Sequence, residues 1–273
     1  MSYATLMAYV NVDRVSIPLV HVAAGLADKF AARLVGLSAI AVIPPFVAEG
    51  VVISDNATEF DIAQMRAKLA DAEHKFRAAA GAGHLVDWRS AVDFPTDTLI
   101  SEARCADLIV IGQNRPSGDL YRVIDNGAAI LGMGRPTLMV PEALNSLPAS
   151  FILVGWKNTR EARRAIQDAL PFLRQAERVM IVEICEDDRK SAARDQLDDV
   201  MRYLSRHRIA SEVRVEAKLL GSGADRLIQL AQEEGADLLV TGAYGHSRLN
   251  EWIFGGITRD LLMTSPICCL MSH

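Results

Sequence analysis

A glycine-rich segment, residues 242–258, contains the residues of this chain that are best suited to ligand chemistry. It reads Gly-Ala-Tyr-Gly-His-Ser-Arg-Leu-Asn-Glu-Trp-Ile-Phe-Gly-Gly-Ile-Thr. Glycine has no Cβ and tolerates positive φ, so a ligand can approach its backbone amides closely. The apolar run 236–241 before it predicts a buried parallel strand, and a helical pattern follows at 257–264. Because a helix N-terminus favours anions, the segment predicts a phosphate site at the carboxyl edge of an open sheet.

The spacing of the glycines excludes two common phosphate motifs. Neither Gly-x-x-x-x-Gly-Lys-Ser/Thr nor a Gly-x-Gly-x-x-Gly after a strand occurs in the sequence. The pattern that occurs is Gly-x2-Gly-x9-Gly, from Gly242 through Gly245 to Gly255, followed by the small residue Gly256. The alternative explanation is that these glycines only make tight turns and close contacts between a helix and a strand.

Composition and charge are those of an ordinary soluble α/β protein. The chain has 273 residues, of which 50% are hydrophobic, 6% aromatic and 23% charged, and its net charge is −5. This length allows two domains, and the acidic balance argues against a nucleic-acid partner. The four cysteines follow no metal or disulfide spacing, which favours a reducing cytoplasm. Residues 1–12 lack the basic start of a signal peptide, and prolines and a glutamate interrupt the apolar stretch 34–53, so we expect no membrane span.

The order of predicted elements occurs twice along the chain. Strands and helices alternate through residues 6–140, a polar, proline-bounded stretch follows at 141–150, and a second alternation fills residues 151–271. Ala-Asp-Leu-Ile-Val-Ile-Gly at 106–112 matches Ala-Asp-Leu-Leu-Val-Thr-Gly at 236–242, at an offset of 242 − 112 = 130. The same offset continues without a gap to Pro136-Thr-Leu-Met and Pro266-Ile-Cys-Cys. We interpret the chain as an internal repeat of two α/β units.

This repeat, together with the Gly-x2-Gly-x9-Gly loop, makes the whole chain resemble a tandem universal stress protein. The resemblance implies two domains, residues 1–142 and 150–273, each with a doubly wound, five-stranded parallel sheet that is Rossmann-like and similar to the adenine-nucleotide alpha-hydrolases. Domains of this family pair through their last strands. In this chain Thr137–Val140 would therefore lie antiparallel to Ile267–Met271, in an intramolecular pseudo-dimer with pseudo-two-fold symmetry. A further homodimer and an unidentified protein partner are left open.

The resemblance also implies an adenine nucleotide, ATP or AMP, at the C-terminal loop, and a role as a stress-response sensor or regulator. The nucleotide would be bound by residues of the glycine-rich segment and by one lysine: Gly242, Gly245, His246, Gly255, Gly256, Ile257, Thr258 and Lys157. The family signature ends in Gly-Ser or Gly-Thr, whereas here the nearest hydroxyl is two positions further on, at Thr258. His246 either donates to a phosphate oxygen or is an exposed loop residue without a role. The only metal expected is a magnesium ion carried by the nucleotide.

The first repeat has lost this set of glycines. Arg115 stands where Gly245 stands, and Asp125-Asn126 replaces Gly255-Gly256. A carboxylate there competes with phosphate for the amides at the helix start and repels its charge. Either replacement could simply cap the helix, and the arginine could hold an anion or be solvated. We therefore predict that the phosphates bind only the C-terminal loop.

The end of the first strand shows the opposite asymmetry. In this family an aspartate there lies near the adenine and ribose, and Asp13 is interpreted as that residue, with Lys157 as its counterpart in the C-terminal half. A lysine cannot accept a hydrogen bond. It would contact a phosphate or a carboxylate of a different ligand, or be solvated while Asn158 or Thr159 caps the next helix. On this comparison, neither half has all the residues that would bind both the adenine and the phosphates.

Two functions from different classes remain. The first is a nucleotide-binding stress protein, at most a slow ATPase, because the repeat brings no Ser/His/Asp or Cys/His grouping together. The second is an interaction or scaffold protein that keeps the fold and the pseudo-dimer without a nucleotide.

Overall fold

A computed structural model describes residues 2–42, 47–48, 51–52, 59–81, 83, 85–113, 118–217, 223–244 and 265–273. Its strands are β1 Thr5–Tyr9, β2 Arg33–Ala39, β3 Val47–Ala48, β4 Val51–Val52, β5 Val86–Ala91, β6 Leu108–Gly112, β7 Thr137–Val140, β8 Phe151–Gly155, β9 Arg178–Cys185, β10 Glu212–Ala217, β11 Leu238–Gly242 and β12 Cys268–Ser272. Its helices are α1 Ile17–Phe30, α2 Glu59–Ala80, α3 Pro95–Glu102, α4 Asn126–Met133, α5 Arg160–Leu173, α6 Lys190–Arg206 and α7 Gly223–Glu234.

Ten of these strands form one sheet in the order β10-β9-β8-β11-β12-β7-β6-β1-β2-β5. The strands of each half run third, second, first, fourth, fifth, and all pairs within a half are parallel. The halves meet where β7 and β12 pair antiparallel, with Leu138 opposite Leu270. The predicted pairing of the last strands is therefore confirmed, and it covers two sheet edges at once. The stretch 44–58, for which the sequence predicts no element, contains the separate antiparallel pair β3–β4.

The strand pairings define which residues of the two halves are equivalent. Leu6 pairs with Leu108, and Ile152 pairs with Leu238. The fourth strands therefore correspond at the predicted offset, 238 − 108 = 130, whereas the first strands correspond at 152 − 6 = 146.

The last strands depart from the ungapped repeat that the sequence predicts. Ile109 pairs with Thr137, but the equivalent Leu239 pairs with Cys269, which gives an offset of 269 − 137 = 132. The prediction of a constant offset up to the last strand was wrong, because the C-terminal half has two additional residues between β11 and β12. Residues between these strands correspond at an offset of 130 near β11 and of 132 near β12.

The aspartate of the repeated Ala-Asp-Leu has the same structural role in both halves. Asp107 accepts hydrogen bonds from two backbone amides at the start of β1, at 2.8 and 3.0 Å. Asp237 accepts from the two corresponding amides at the start of β8, at 2.9 and 3.2 Å. Unpaired amides at a strand start would need other partners, so this carboxylate fixes the amino edge of each half.

Helices cover both faces of the sheet. Helices α1, α2, α5 and α6 share one continuous apolar cluster on one face, while α3, α4 and α7 cover the other. At the centre of the first face, Phe30 of α1 and Phe172 of α5 meet edge to face, with ring centroids 4.9 Å apart. The Tyr3 hydroxyl donates to the carbonyl of Asp168 in α5, which links the two halves. None of the described helices is both long enough and apolar enough to cross a membrane.

Candidate functional site

The carboxyl edge of the C-terminal half is the place where the sequence predicts a ligand. Strands β8 and β11 are neighbours there, with Gly155 paired to Thr241. After β8 the chain continues into α5, on one face of the sheet, whereas α7, which precedes β11, covers the other face. The strand order reverses direction between β8 and β11, and in open α/β sheets a crevice for ligands forms at such a point.

Only part of the predicted phosphate site can be located. Gly242 is the last residue of β11. The other loop residues of the prediction, together with Arg115 of the first repeat, lie outside the described residues: Gly245, His246, Gly255, Gly256, Ile257 and Thr258. Their contact with phosphate stays a prediction.

Gly242 itself has a packing role. A Cβ at this position would lie 2.7 Å from the amide nitrogen of Ala162 and 2.7 Å from the carbonyl carbon of Glu161. The backbone in the first turn of α5 therefore leaves room only for a glycine at 242. Gly242 makes a close contact between a helix and a strand, as the explanation of these glycines by packing predicts. The equivalent Gly112 is less constrained, since a Cβ there would meet the Leu19 side chain at 3.4 Å.

The chain enters the glycine-rich segment through Tyr244, whose φ of 56° is uncommon for a residue with a Cβ. Before it, the Ala243 amide donates to the Ser272 carbonyl at 2.8 Å, and Nδ1 of His273 lies 3.1 Å from the Ala243 carbonyl oxygen. Burial raises the pKa of Tyr244 to about 12, and the charge of Asp125 adds to this shift. Contacts with the last strand thus hold Ala243 in place directly after β11.

Lys157 follows β8 by two residues and is exposed. The cap of α5 is Thr159, whose Oγ1 accepts a hydrogen bond from the Ala162 amide at 3.3 Å. Of the two predicted caps, Thr159 is therefore confirmed. The lysine contributes positive charge to the carboxyl edge and acts on the buried Glu183.

The predicted match of Asp13 with Lys157 lies where the two halves differ in length. The first strands correspond at an offset of 152 − 6 = 146, whereas the N-caps of the helices that follow, Ser16 and Thr159, correspond at 159 − 16 = 143. The N-terminal half therefore has three more residues between its first strand and its first helix. The match of Asp13 with Lys157, at an offset of 144, stays a prediction.

Polar groups of the chain itself occupy the carboxyl edge of the N-terminal half. Asp13 forms ion pairs with Lys68 of α2 at 2.9 Å and with Arg122 at 3.0 Å. Burial alone would raise the pKa of Asp13, but the hydrogen bonds from these two cations outweigh it and hold that pKa below its ordinary value. Asn11 accepts from the Asp13 amide at 2.9 Å and donates to the Arg122 carbonyl at 3.1 Å.

The start of α4 is occupied in the same way. Asp125 is its N-cap, and Oδ1 of this residue accepts from the Ala128 amide at 3.0 Å. Asn126 donates through Nδ2 to the Gly112 carbonyl at 3.1 Å, across the space between strand end and helix start. The prediction that Asp125 or Asn126 caps this helix is confirmed for Asp125. The Ala128 amide, one of those that a phosphate at this helix start would need, is thus bonded to a carboxylate already.

Two buried polar residues, whose importance is not evident from the sequence, lie at the ends of β8 and β9. Trp156 and Glu183 are 9% and 7% exposed, and the Trp156 amide donates to the Val182 carbonyl at 2.7 Å, so the two are neighbours across the strand pair. The indole Nε1 and the carboxyl Oε2 have no hydrogen-bond partner in the described part of the chain. Burial raises the pKa of Glu183, and Arg189 and Lys157 offset part of that rise. The only sequence signal was a charged residue inside the apolar run 179–185.

Comparisons with known proteins give the family of the C-terminal half. Residues 150–273 match the model of the Universal stress protein family. Over the whole chain, a universal stress protein from Archaeoglobus fulgidus has the same fold, with a TM-score of 0.73 at 16% identity over 98% of this chain and 97% of that chain. A functionally unknown protein from Pseudomonas aeruginosa PAO1 has a TM-score of 0.60 at 16% identity, over 99% and 92%. A search of curated proteins gives no match.

Residues 150–273 therefore belong to the universal stress protein family. The N-terminal half has the same strand order and completes the ten-stranded sheet, so the chain is a tandem α/β protein with the universal stress protein fold. Within the described ranges, no group of three or more His, Cys, Asp or Glu residues is arranged to hold a metal ion.

Proposed function

We propose that this protein binds an adenine nucleotide at the carboxyl edge of its C-terminal half and acts as a stress-response sensor or regulator. In this function, residues 150–273 form the nucleotide-binding domain, and residues 1–142 form a domain that binds no nucleotide phosphates. The proposal also places the protein in the cytoplasm, which the four free thiols support, because secreted proteins commonly pair their cysteines.

The observation that carries the proposal is the asymmetry between the two carboxyl edges. In the N-terminal half, Asp13 is paired with two cations and Asp125 caps α4. In the C-terminal half, the connection from β8 to α5 is Trp-Lys-Asn-Thr, which has a lysine and no carboxylate. The sequence between β11 and β12 supplies glycines around the predicted helix start instead of Asp-Asn. In the first arrangement the cations and the helix start are already bonded to carboxylates of the chain, whereas the second has a lysine and, by sequence, glycines at the helix start, which favour an anion.

In the proposed complex, the phosphates bind the amides of the glycine-rich segment, and Lys157 adds positive charge near β8. Magnesium accompanies the phosphates as part of the nucleotide. Gly242 contributes by packing against α5, which sets where the loop begins. Hydrolysis of ATP would be slow at most, since no side chain is assigned as a catalyst.

Isothermal titration calorimetry with ATP tests the proposal. Gly255→Asp would copy Asp125 at the offset of 130, and Ile257→Asp would copy it at the offset of 132 that the last strands show. Loss of one or two charge-assisted hydrogen bonds, at about 1.5–3 kcal/mol each, should weaken ATP at least about tenfold in one of the two variants.

The matched control is Asp125→Gly, which changes the N-terminal helix start and should leave the affinity for ATP unchanged. Equal affinity in the wild type and both aspartate variants would contradict the proposed location of the phosphates. If the wild type binds no ATP, the interaction or scaffold function remains, in which the fold and the pseudo-dimer are kept without a nucleotide.

A further inference from the structure

Five large apolar side chains are exposed in the part of the chain that the structure describes, and two of them contribute to one surface. Phe94 is 42% exposed and Leu120 is 56% exposed. The ring of Tyr121, the residue after Leu120, lies against the ring of Phe94, with centroids 5.5 Å apart. Phe94, Leu120 and Tyr121 together are called the Phe94 patch below. Apolar residues that are exposed singly are ordinary, whereas a contiguous group marks an interaction site.

The Phe94 patch lies at the carboxyl edge of the N-terminal half. Phe94 follows β5, and the Tyr121 carbonyl accepts a hydrogen bond from the Ala41 amide, just beyond β2, at 2.8 Å. The Tyr121 amide donates to Oδ1 of Asp119 at 3.1 Å, which holds the turn before α4. The backbone that presents the patch is thus bonded to the rest of the half. A surface that is already in place loses less conformational freedom when it binds a partner.

Phe94 is an unfavourable residue for its position in the fold. It is the N-cap of α3, and its side chain makes no hydrogen bond to the first turn. Serine, threonine, aspartate and asparagine are preferred at an N-cap, because their side chains bond an amide that the helix leaves unpaired. The chain therefore has an exposed aromatic ring where a small polar residue would stabilise α3. Departures of this kind from local preference are typical of functional positions.

Three carboxylates lie next to the patch. Asp93 directly precedes Phe94 and accepts a hydrogen bond from its amide at 2.7 Å. Asp97 lies in the first turn of α3. Asp125 is joined to the same turn, because its amide donates to Oγ1 of Thr96 at 2.9 Å. All three aspartates are exposed, and none forms an ion pair with another residue that the structure describes.

We propose that the Phe94 patch binds a basic, amphipathic segment of a partner protein. Apolar side chains of the partner pack on Phe94, Leu120 and Tyr121, and its lysine or arginine side chains face the three aspartates. Aromatic residues are enriched at the centre of interfaces, and complementary charge around such a centre gives specificity and fast association. Arg122 follows Tyr121 in the chain, but its charge is offset by an ion pair with Asp13 at 3.0 Å.

The sign of the charge favours a protein over other macromolecules. Exposed carboxylates repel the phosphates of nucleic acids and of anionic lipids, whereas they attract a segment rich in lysine or arginine. The inference goes beyond the proposed function, since it concerns the half that binds no nucleotide phosphates. Failure of ATP binding would leave the Phe94 patch untouched, and loss of partner binding would leave the nucleotide site untouched.

Fluorescence anisotropy with labelled synthetic peptides tests the proposal. The probe is a short amphipathic peptide of leucine and lysine, and a second peptide has glutamate in place of every lysine. We expect the wild type to bind the lysine peptide and not the glutamate peptide. The double variant Phe94→Ser/Leu120→Ser should weaken the lysine peptide at least about tenfold, because truncation of interface anchors has effects of this size. Asp93→Asn/Asp97→Asn should weaken it as well and reduce its dependence on salt.

The matched control is Leu85→Ser, which removes a leucine that is 74% exposed at the amino end of β5. This variant should bind the lysine peptide like the wild type. Phe94→Ser places a preferred cap residue at the start of α3, so it should keep or exceed the Tm of the wild type. Thermal unfolding thus separates loss of binding from loss of structure. If the double variant does not fold, the single variant Phe94→Ser decides.

Five results would overturn the inference. The first three are no binding of the lysine peptide by the wild type, equal affinity in the wild type and Phe94→Ser/Leu120→Ser, and an equally large loss in Leu85→Ser. Binding of the glutamate peptide as tightly as the lysine peptide would contradict a basic partner. Binding to phosphatidylglycerol vesicles that is lost in Phe94→Ser would identify the patch as a membrane site instead.

Discussion

The substitution Gly242→Ala distinguishes a packing role of this glycine from a ligand role. Its Cβ would lie 2.7 Å from the backbone of Ala162 and 2.8 Å from the Glu161 Cβ, where ordinary contacts between carbon atoms are about 3.5–4.0 Å. The neighbouring atoms belong mainly to the backbone of α5, so a change of rotamer cannot relieve the overlap. We expect the first turn of α5 to shift away from β11 by several tenths of an ångström.

The expected loss of stability follows from the cost of overpacking a core. Insertion of one extra group into a well-packed region costs about 1–3 kcal/mol. For a chain of this size each kcal/mol lowers Tm by about 2–4 °C, so Gly242→Ala should lower Tm by roughly 2–12 °C. At the equivalent Gly112 the added Cβ would contact one flexible Leu19 methyl at 3.4 Å. Gly112→Ala should therefore shift Tm by no more than about 2 °C, within the usual effect of a mild substitution.

Differential scanning calorimetry of both variants without ligand measures this difference. Because the two positions are related by the repeat, each variant is the control for the other. Equal shifts in Tm, or an unchanged Tm for Gly242→Ala, would refute the packing argument. If Gly242→Ala kept its Tm but lost ATP binding, direct contact with the ligand would be the main reason for the glycine.

Three further substitutions test other contacts. Glu183→Gln should stabilise the protein near neutral pH. The folded-state pKa of Glu183 is raised, so wild-type stability is fully present below the unfolded pKa, about 4.3, and falls as pH rises through the folded pKa. Urea unfolding from pH 4 to 8 should show a smaller fall in the variant, and parallel pH profiles would contradict this. Asp125→Ala should lower the unfolding free energy by about 0.5–2 kcal/mol through loss of the α4 cap, measured by urea unfolding, and an unchanged midpoint would contradict it. Tyr3→Phe should lower it by about 0.5–1.5 kcal/mol, because its hydroxyl bonds the Asp168 carbonyl of the other half, and an unchanged value would show that this bond adds nothing.

Hydrophobic patterns predicted the kind and order of the elements better than the ends of the strands. Helix α2 has Leu69, Ala72 and Phe76 at helical spacing, and all three are buried. The apolar run of the second strand, in contrast, continues to Ile43, whereas β2 is Arg33–Ala39. The residues after it, Ile40 and Ala41, are buried although they lie outside the strand. Apolar residues indicate burial, whereas a strand ends where its hydrogen bonds end.

The candidate site was less predictable, because its contacts join residues far apart in the sequence. The sequence predicts that the N-terminal loop has lost its phosphate site, since charge at a helix start follows from residue type alone, and the structure confirms the Asp125 cap on which this prediction depends. The sequence did not indicate that Lys68 and Arg122 pair with Asp13, 55 and 109 positions away. Nor did it show that the N-terminal half has three more residues between its first strand and its first helix, because the length of this connection follows only from where the strands pair and where the helices begin.

The halves share one device at the amino edge of the sheet and differ at two neighbouring positions of its carboxyl edge. Asp107 and Asp237 hold the first strand of each half in the same way. At the carboxyl edge, Ser38 corresponds to Glu183 and Val10 to Trp156, so the equivalent positions differ in size and charge. Ligands bind open α/β sheets at the carboxyl edge, so these two positions lie at the edge where the proposed function places a ligand in one half and not in the other.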